Sequence, residues 1–227
     1  MSFYEDYNMI SGEYSRIGLG NYKDLFGDKD FTKALRNTSI YVVFVVPCSI
    51  ALSLLIAVLL NSNIKFRGLF QTIFFLPYVT SVIAIGLVWS WIFNSNYGLL
   101  NYVLSWFGIA KVQWLNKPKY ALPSLIIFSV WKSMAFDILI FLAGLQTIPK
   151  DLYNAARVDS TPRWRVFWKI TVPGIAPMIS YAFIMGFISA FKVYNEVFSL
   201  WGGKAGPANS AITVVYYIYD KFYNSHN

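Results

Sequence analysis

PKDLYNAARVDSTPRWRVFWKITVPGIAP, residues 149–177, is the most polar long piece of a chain that otherwise runs in uncharged blocks. Lys150, Arg157, Arg163, Arg165 and Lys169 stand there against only Asp151 and Asp159. Pro149 suits the first turn of a helix, where its missing N–H costs nothing, and Asp151 then complements the helix dipole. Leu152, Ala155, Ala156 and Val158 give that helix a face of small residues. Ser160-Thr161-Pro162 reads as a break and a new start, with Thr161 as N-cap and Pro162 as first residue. Apolar segments too long for ordinary core helices flank the stretch on both sides. Two short helices joined by a bend, set between two such segments, predict a compact knob at a membrane surface.

Working outward, hydrophobic residues make up 56% of the 227 and charged residues 13%, outside the usual soluble range. Residues 37–64, 68–110, 120–131 and 170–191 contain no Asp, Glu, Lys or Arg. A bilayer crossing needs roughly 20 mostly apolar residues, so the reading is all-α and polytopic, with spans over 39–60, 69–93, 121–146 and 170–191. Pro47 is expected to kink the first, and Pro77 sits near the middle of the second, whose far end carries Trp89 and Trp91 as interface anchors. The net charge of +8 is explained by membrane topology and calls for no nucleic acid. The single Cys48 lies in an apolar run and reads as core filler.

Residues 1–37 are polar and aromatic and carry no apolar run, with a short surface helix expected over 31–36. Residues 94–120 are expected to include an interfacial helix, and residues 210–223 an amphipathic one. The loop 61–68 and the knob share one side and hold the densest Lys/Arg, so that side is assigned to the cytoplasm. Residues 1–37 then lie outside the cell, with one span expected before residue 1 and one after residue 227. No His/Cys ligand cluster, phosphate-binding Gly-rich loop or nucleophile elbow is present, and the lone His226 stands near the chain end. No catalytic residue, metal or cofactor is therefore assigned.

The knob also carries a resemblance. Asn154-Ala155-Ala156-Arg157-Val158-Asp159-Ser160, followed by Ile170-Thr171-Val172-Pro173, resembles the coupling loop of binding-protein-dependent ABC importer permeases, which reads E-A-A-x-x-x-D-G and then I-x-L-P. Phe75-Leu76-Pro77-Tyr78, Leu142-Ala143-Gly144-Leu145-Gln146, Ile148-Pro149 and Gly18-Leu19-Gly20-Asn21-Tyr22 are similar to the carbohydrate-importer branch. The resemblance implies a type I importer helix bundle with a cytoplasmic coupling helix. It implies a sugar or oligosaccharide as cargo, an ATPase subunit dimer below, a second homologous permease beside it and an extracellular substrate-binding protein above. Residues 94–120 and 201–210 are the candidate contacts with that binding protein. It also implies that Asn154, Ala155, Ala156, Arg157, Asp159, Ser160 and Arg163 couple the chain to the ATPase. Asn154 stands where the motif has Glu, and Ser160 stands where Gly makes the bend without strain.

Within the spans, Lys132 and Asp137 are costly charges that ordinarily face a cavity or a partner. Their i, i+5 spacing separates their faces, so Lys132 is expected to meet a group on the next span or on another subunit. Trp131, Tyr181 and Tyr194 suit sugar stacking, with Asn195 and Glu196 at the mouth beside Lys192. Plainer alternatives stand beside each: a basic interfacial loop for the knob, a structural ion pair for the charges, belt or core packing for the aromatics. Two other functions stay open, an ion-coupled secondary carrier relaying through Lys132, Asp137 and Glu196, and a non-transporting membrane scaffold.

Overall fold

The structure, a computed structural model, describes residues 3–5, 15–62 and 65–223; His226 lies outside the described residues. A two-stranded antiparallel ribbon, β1 (Tyr4–Glu5) and β2 (Arg16–Ile17), leads into the short helix α1 (Gly20–Gly27). Glu5 holds this corner: its carboxylate pairs with Arg16 and accepts the Gly20 N–H at 2.7 Å.

Asp28 then starts α2 (Lys29–Asn61) as a true N-cap, accepting the Asp30 and Phe31 N–H groups at 2.8 and 3.4 Å. With this cap in place the expected surface helix over 31–36 and the first apolar segment form one helix of 33 residues, about 50 Å long. Pro47 lies inside α2 without ending it. Cys48 is exposed, not core, because it lies on the outward side of α2.

The segment 69–93, expected as a single span, is built of two helices, α3 (Arg67–Val79) and α4 (Val82–Ile92), bent by 107° at the break between them. Pro77 cannot donate to the Ile73 carbonyl, and three residues later the Thr80 hydroxyl donates to the Leu76 carbonyl at 2.7 Å while its backbone turns extended. Next come α5 (Leu99–Trp106), whose Leu99, Tyr102 and Trp106 are exposed on one side, and α6 (Pro118–Thr147).

Helices α2 and α6 run side by side in the same direction and make the most extensive pairing of the molecule. Tyr41, Val42 and Val45 pack near Leu125 and Phe128, and Leu54, Ala57 and Leu60 near Phe141, Leu142 and Leu145. The knob follows α6 as α7 (Lys150–Val158) and α8 (Arg163–Val166). A π-helical turn (Phe167–Thr171) and α9 (Val172–Gly174) lead to α10 (Ala176–Phe191). The path from Arg163 to Gly174 bends by 68° into α10, where Pro173 and Pro177 each remove a helical N–H. α11 (Asn195–Leu200) and α12 (Val214–Tyr223) complete the described chain, the latter starting four residues later than the expected helix.

By length and composition α2 and α6 can each cross a membrane, and the two bent pairs raise the number to four if each is one span. Leu69, Ile73 and Leu76 on α3 and Phe183, Ile184, Phe187 and Ile188 on α10 are exposed apolar side chains. In water such surfaces would associate; facing lipid or another membrane subunit they need no further cover.

Candidate transport pathway and coupling site

The knob closes on itself by backbone geometry. The Ser160 N–H bonds the Arg157 carbonyl at 3.0 Å and the Thr161 N–H bonds the Ala156 carbonyl at 2.9 Å. This is a Schellman closure, which puts Ser160 in the left-handed region at φ +49°. The cap position of the next helix is taken by Pro162 and not by the expected Thr161, with no side-chain cap bond, and α8 begins at Arg163.

Ala156 is 7% exposed, so it is turned into the chain rather than presented outward. The exposed surface of α7 is Leu152, Asn154, Ala155, Arg157 and Val158, continued by Asp159, Ser160 and Arg163. Leu152 and Val158 are 48% and 86% exposed, an apolar offer flanked by charge. Two contacts fix the knob to its neighbours. The Tyr153 hydroxyl lies 3.1 Å from that of Thr171, and the Ile148 side chain fills the space a Cβ on Gly174 would need. The end of α6 and the approach to α10 are thus tied together at the knob.

Inside the bundle Lys132 on α6 pairs with Glu196 on α11, Nζ to Oε1 at 2.6 Å, with side chains 24% and 17% exposed. Sixty-four residues apart in sequence, they neutralise each other where an unpaired charge would be costly. Asp137 is buried on a different side of α6, with the Ser49 hydroxyl of α2 in hydrogen-bonding reach. The contact between α11 and α4 that holds Glu196 in place is very close: a Cβ on Gly86 would lie 2.2 Å from Ser199 Oγ.

The expected aromatics separate into three places. Trp131 packs against Trp89, ring centroids 5.3 Å apart. Tyr181 lines an apolar hollow of about 430 Å³ with Phe136, Ile140, Pro177 and Met178, and Tyr78 stacks on Phe136 at 5.1 Å. Tyr194 joins Tyr216 and Tyr219 at 5.9 and 4.9 Å. Asn195 is exposed at the start of α11. Of Trp131, Lys132, Asp137, Tyr181, Tyr194, Asn195 and Glu196, only Lys132 and Glu196 are paired; Trp131, Tyr194 and Asn195 are their neighbours in sequence, and Asp137 and Tyr181 lie elsewhere.

Two organising residues went unread in the sequence. Besides capping α2, Asp28 accepts from Tyr217 at 2.8 Å and pairs with Lys221 at 3.2 Å, and these partners hold its carboxyl down at about 2, the Tyr217 hydroxyl foremost. Buried Asn101 donates to the Val112 carbonyl at 2.9 Å and accepts from the Val112 N–H at 3.2 Å and the Trp114 indole at 3.0 Å, folding the segment before α6. Asp28 sits in the charged run Gly27-Asp28-Lys29-Asp30 ahead of a helical pattern, which is an N-cap signal, whereas nothing in the sequence around Asn101 sets it apart from Asn94, Asn96 and Ser105.

Residues 49–223 match the family of binding-protein-dependent transport system inner membrane components. The chain is 35% identical over 216 residues to the arabinooligosaccharides transport system permease protein AraP of Halalkalibacterium halodurans, covering 94% of this chain and 67% of that one. It is 35% identical over 206 residues to the lactose transport system permease protein LacF of Rhizobium radiobacter, covering 89% of this chain and 69% of that one. Its backbone matches a chain in the crystal structure of a bacterial alginate ABC transporter bound to an alginate pentasaccharide-loaded periplasmic protein. The TM-score is 0.81 at 26% identity, with 92% of this chain and 73% of that one covered.

Proposed function

The chain belongs to the binding-protein-dependent transport system inner membrane components, and from that premise we propose that it is the permease subunit of an ATP-binding-cassette importer for a sugar or oligosaccharide. The relatives named for arabinooligosaccharides and lactose, and the alginate transporter, support a carbohydrate cargo. An ATPase dimer docks on the knob, a second homologous permease covers an exposed apolar face, and an extracellular binding protein delivers the cargo at the opposite end. The chain itself hydrolyses nothing, and it resides in the cell membrane.

The observation that carries this reading is the knob. Its exposed Leu152, Ala155 and Val158, rimmed by Arg157 and Arg163, suit a groove with acidic edges on a partner. Because the knob is fixed to both α6 and the approach to α10, movement of that partner changes the angle between the two helices. Among the pathway candidates, Lys132 and Glu196 form one charged pair, with exposed Trp131 next in sequence and packed on Trp89, and Tyr181 lines a separate apolar hollow on which a sugar face can stack. The ion-relay alternative is weaker because Lys132 and Glu196 neutralise each other directly.

The test is ATP turnover of the reconstituted full-length assembly with its binding protein and a panel of sugars, wild type against Ala155→Trp. A loaded binding protein is expected to stimulate turnover, and the bulky exposed substitution to abolish that stimulation while the permease stays folded. Turnover that ignores both ligand and substitution, or uptake that collapses with an ionophore in the presence of ATP, would overturn the reading. Ala156→Trp is unsuitable for this purpose, since Ala156 is buried and its replacement would disturb the fold itself.

A further inference from the structure

At the end of α6 away from the knob lies a cleft of about 720 Å³ between the starts of α2 and α6. Its charged lining residues are Lys29, Lys33, Arg36 and Lys119, and no carboxylate lines it. Lys29, Lys33 and Arg36 stand at i, i+4 and i+7, so one face of the first two turns of α2 delivers three cations to the same wall. Lys33 donates to the Ala208 carbonyl at 2.7 Å. Among the described residues none of Lys29, Arg36 and Lys119 has a carboxylate within 4.0 Å.

The 30-residue α6 opens on this cleft at Pro118 with no side-chain cap, so the positive end of its dipole lies at the same space. Pro118 itself carries no N–H and the Tyr120 N–H is taken by the Lys117 carbonyl at 3.1 Å, which leaves the side-chain cations as the main attraction. Such a cluster is self-repelling when empty, and an anion relieves it. Thr32, Asn37 and Ser210 add neutral polar groups, while Leu122 and Pro123 form an apolar side. Height along the bundle selects the anion. The cations occupy the polar turns of α2 immediately before its uncharged run begins at Asn37, the level of the headgroups for a helix that crosses a bilayer.

We propose that this cleft binds the phosphate of an anionic phospholipid, with Lys29, Arg36 and Lys119 around the headgroup and Leu122 and Pro123 against the start of an acyl chain. The chemistry shared with any soluble competitor is a phosphate oxyanion, and the apolar side distinguishes the lipid from inorganic phosphate. The site is separate from the proposed pathway and coupling surface; it rests on α2 crossing the membrane, and its Pro118, Lys119 and Ser210 fall in the segments 94–120 and 201–210 named above as candidate contacts with the binding protein.

The experiment titrates fluorescently labelled phosphatidylglycerol into the full-length chain in a neutral detergent. Competitors are unlabelled phosphatidylglycerol, phosphatidylcholine and inorganic phosphate at constant ionic strength. Phosphatidylglycerol is expected to compete and phosphatidylcholine to compete at least tenfold more weakly. Removing two cations in Lys29→Gln/Arg36→Gln is expected to weaken binding by up to about 25-fold, from at most about fivefold for each exposed ion pair with the phosphate. Leu122→Gln is expected to weaken the lipid without changing any effect of phosphate. Lys111→Gln, exposed and outside the cleft, serves as control and leaves binding within twofold. Equal competition by phosphatidylcholine, or equal loss in the control, refutes the site. Displacement by inorganic phosphate alone, with Leu122→Gln silent, refutes the lipid in favour of a soluble anion. No saturable binding of phosphatidylglycerol to the wild-type chain also refutes it.

Discussion

Gly86→Ala places one methyl group where α4 crosses α11. A Cβ there would sit 2.2 Å from Ser199 Oγ and 2.3 Å from Ser199 Cβ, with the Ser199 backbone carbon at 3.1 Å. All three approaches are shorter than ordinary carbon contact, and Ser199 is itself buried at 4% exposure, so its side chain has nowhere to swing. The helices must separate. Overpacking of this severity belongs at the upper end of the usual range, about 3 kcal/mol. Replacing a helical Gly by Ala returns about 1 kcal/mol, leaving a net loss of about 2 kcal/mol. For a chain of this size that is a fall in Tm of roughly 4–8 °C, at roughly 2–4 °C per kcal/mol.

The companion variant makes the steric origin testable. Ser199→Gly alone costs about 0.5 kcal/mol in helix propensity, Ser lying about half-way between Ala and Gly, and about as much again for the lost bond from Ser199 Oγ to the Glu196 carbonyl at 3.1 Å, about 1 kcal/mol together. Combined with Gly86→Ala it removes both clashing side-chain atoms, so the gain at residue 86 and the loss at residue 199 nearly cancel. The double variant is expected within about 2 °C of wild type, a coupling of about 3 kcal/mol across the cycle. Intrinsic tryptophan fluorescence of the full-length chain during heating reads all four members. A Gly86→Ala protein as stable as wild type, or a double variant that simply adds the two losses, would refute the close crossing of α4 and α11.

Ser160→Gly is expected to raise Tm by about 2–4 °C, because a non-Gly residue at φ +49° gives up about 1 kcal/mol; Ser160→Val is expected to lower it. Asp28 supplies a pH dependence. Its folded-state carboxyl titrates at about 2, below its ordinary value of 3.8, so the stability it lends is present above about pH 4 and is lost as pH falls toward 2. Unfolding of wild type and Asp28→Asn followed from pH 6 to pH 2 should show a constant gap above pH 4 that narrows below it; a gap that widens on acidification refutes the assignment. For the interior pair, Glu196→Gln leaves Lys132 with no partner and is expected to cost about 2–3 kcal/mol, below the 3–5 kcal/mol of fully buried pairs because both side chains retain some exposure. Lys132→Met/Glu196→Met is expected to restore most of that stability. Uptake measured on the restored variant then separates a structural pair, which leaves transport intact, from a pathway pair, which does not.

What the sequence made legible is tied to residues whose constraint is local. Pro149 and Asp151 mark the start of α7, and the demand for a left-handed residue at Ser160 follows from the closure alone. The burial of Ala156 was not legible, since an alanine pair on a short helix has no polarity to say which member faces inward. The break at Thr80 and Ser81 was hidden for another reason: every residue from 68 to 93 is uncharged, and hydropathy is blind to direction. Pro77 announced a weakness three residues away from where the chain turns, at a position chosen by the Thr80 side chain. The Lys132 and Glu196 pair depends on α11 folding back against α4, which only a glycine, Gly86, permits. Nothing within either segment pointed to the other.

These placements also say where the molecule can bend. α6 is a single unbroken helix of 30 residues packed extensively on α2, so displacing its end displaces both helices together. The other exit from the knob is different in kind. It passes through a π turn, loses helical N–H groups at Pro173 and Pro177, and turns by 68° where Gly174 meets Ile175. Backbone bonds already missing need not be broken, so bending there is opposed mainly by side-chain packing, chiefly Ile148 against Gly174 and buried Ile175. On the proposed reading, a partner that pushes α7 moves α2 and α6 as one body while α10 pivots. Stiffening the pivot should then impair coupling without touching the docking surface, whereas loosening the α2–α6 seam should unfold the chain before it uncouples it.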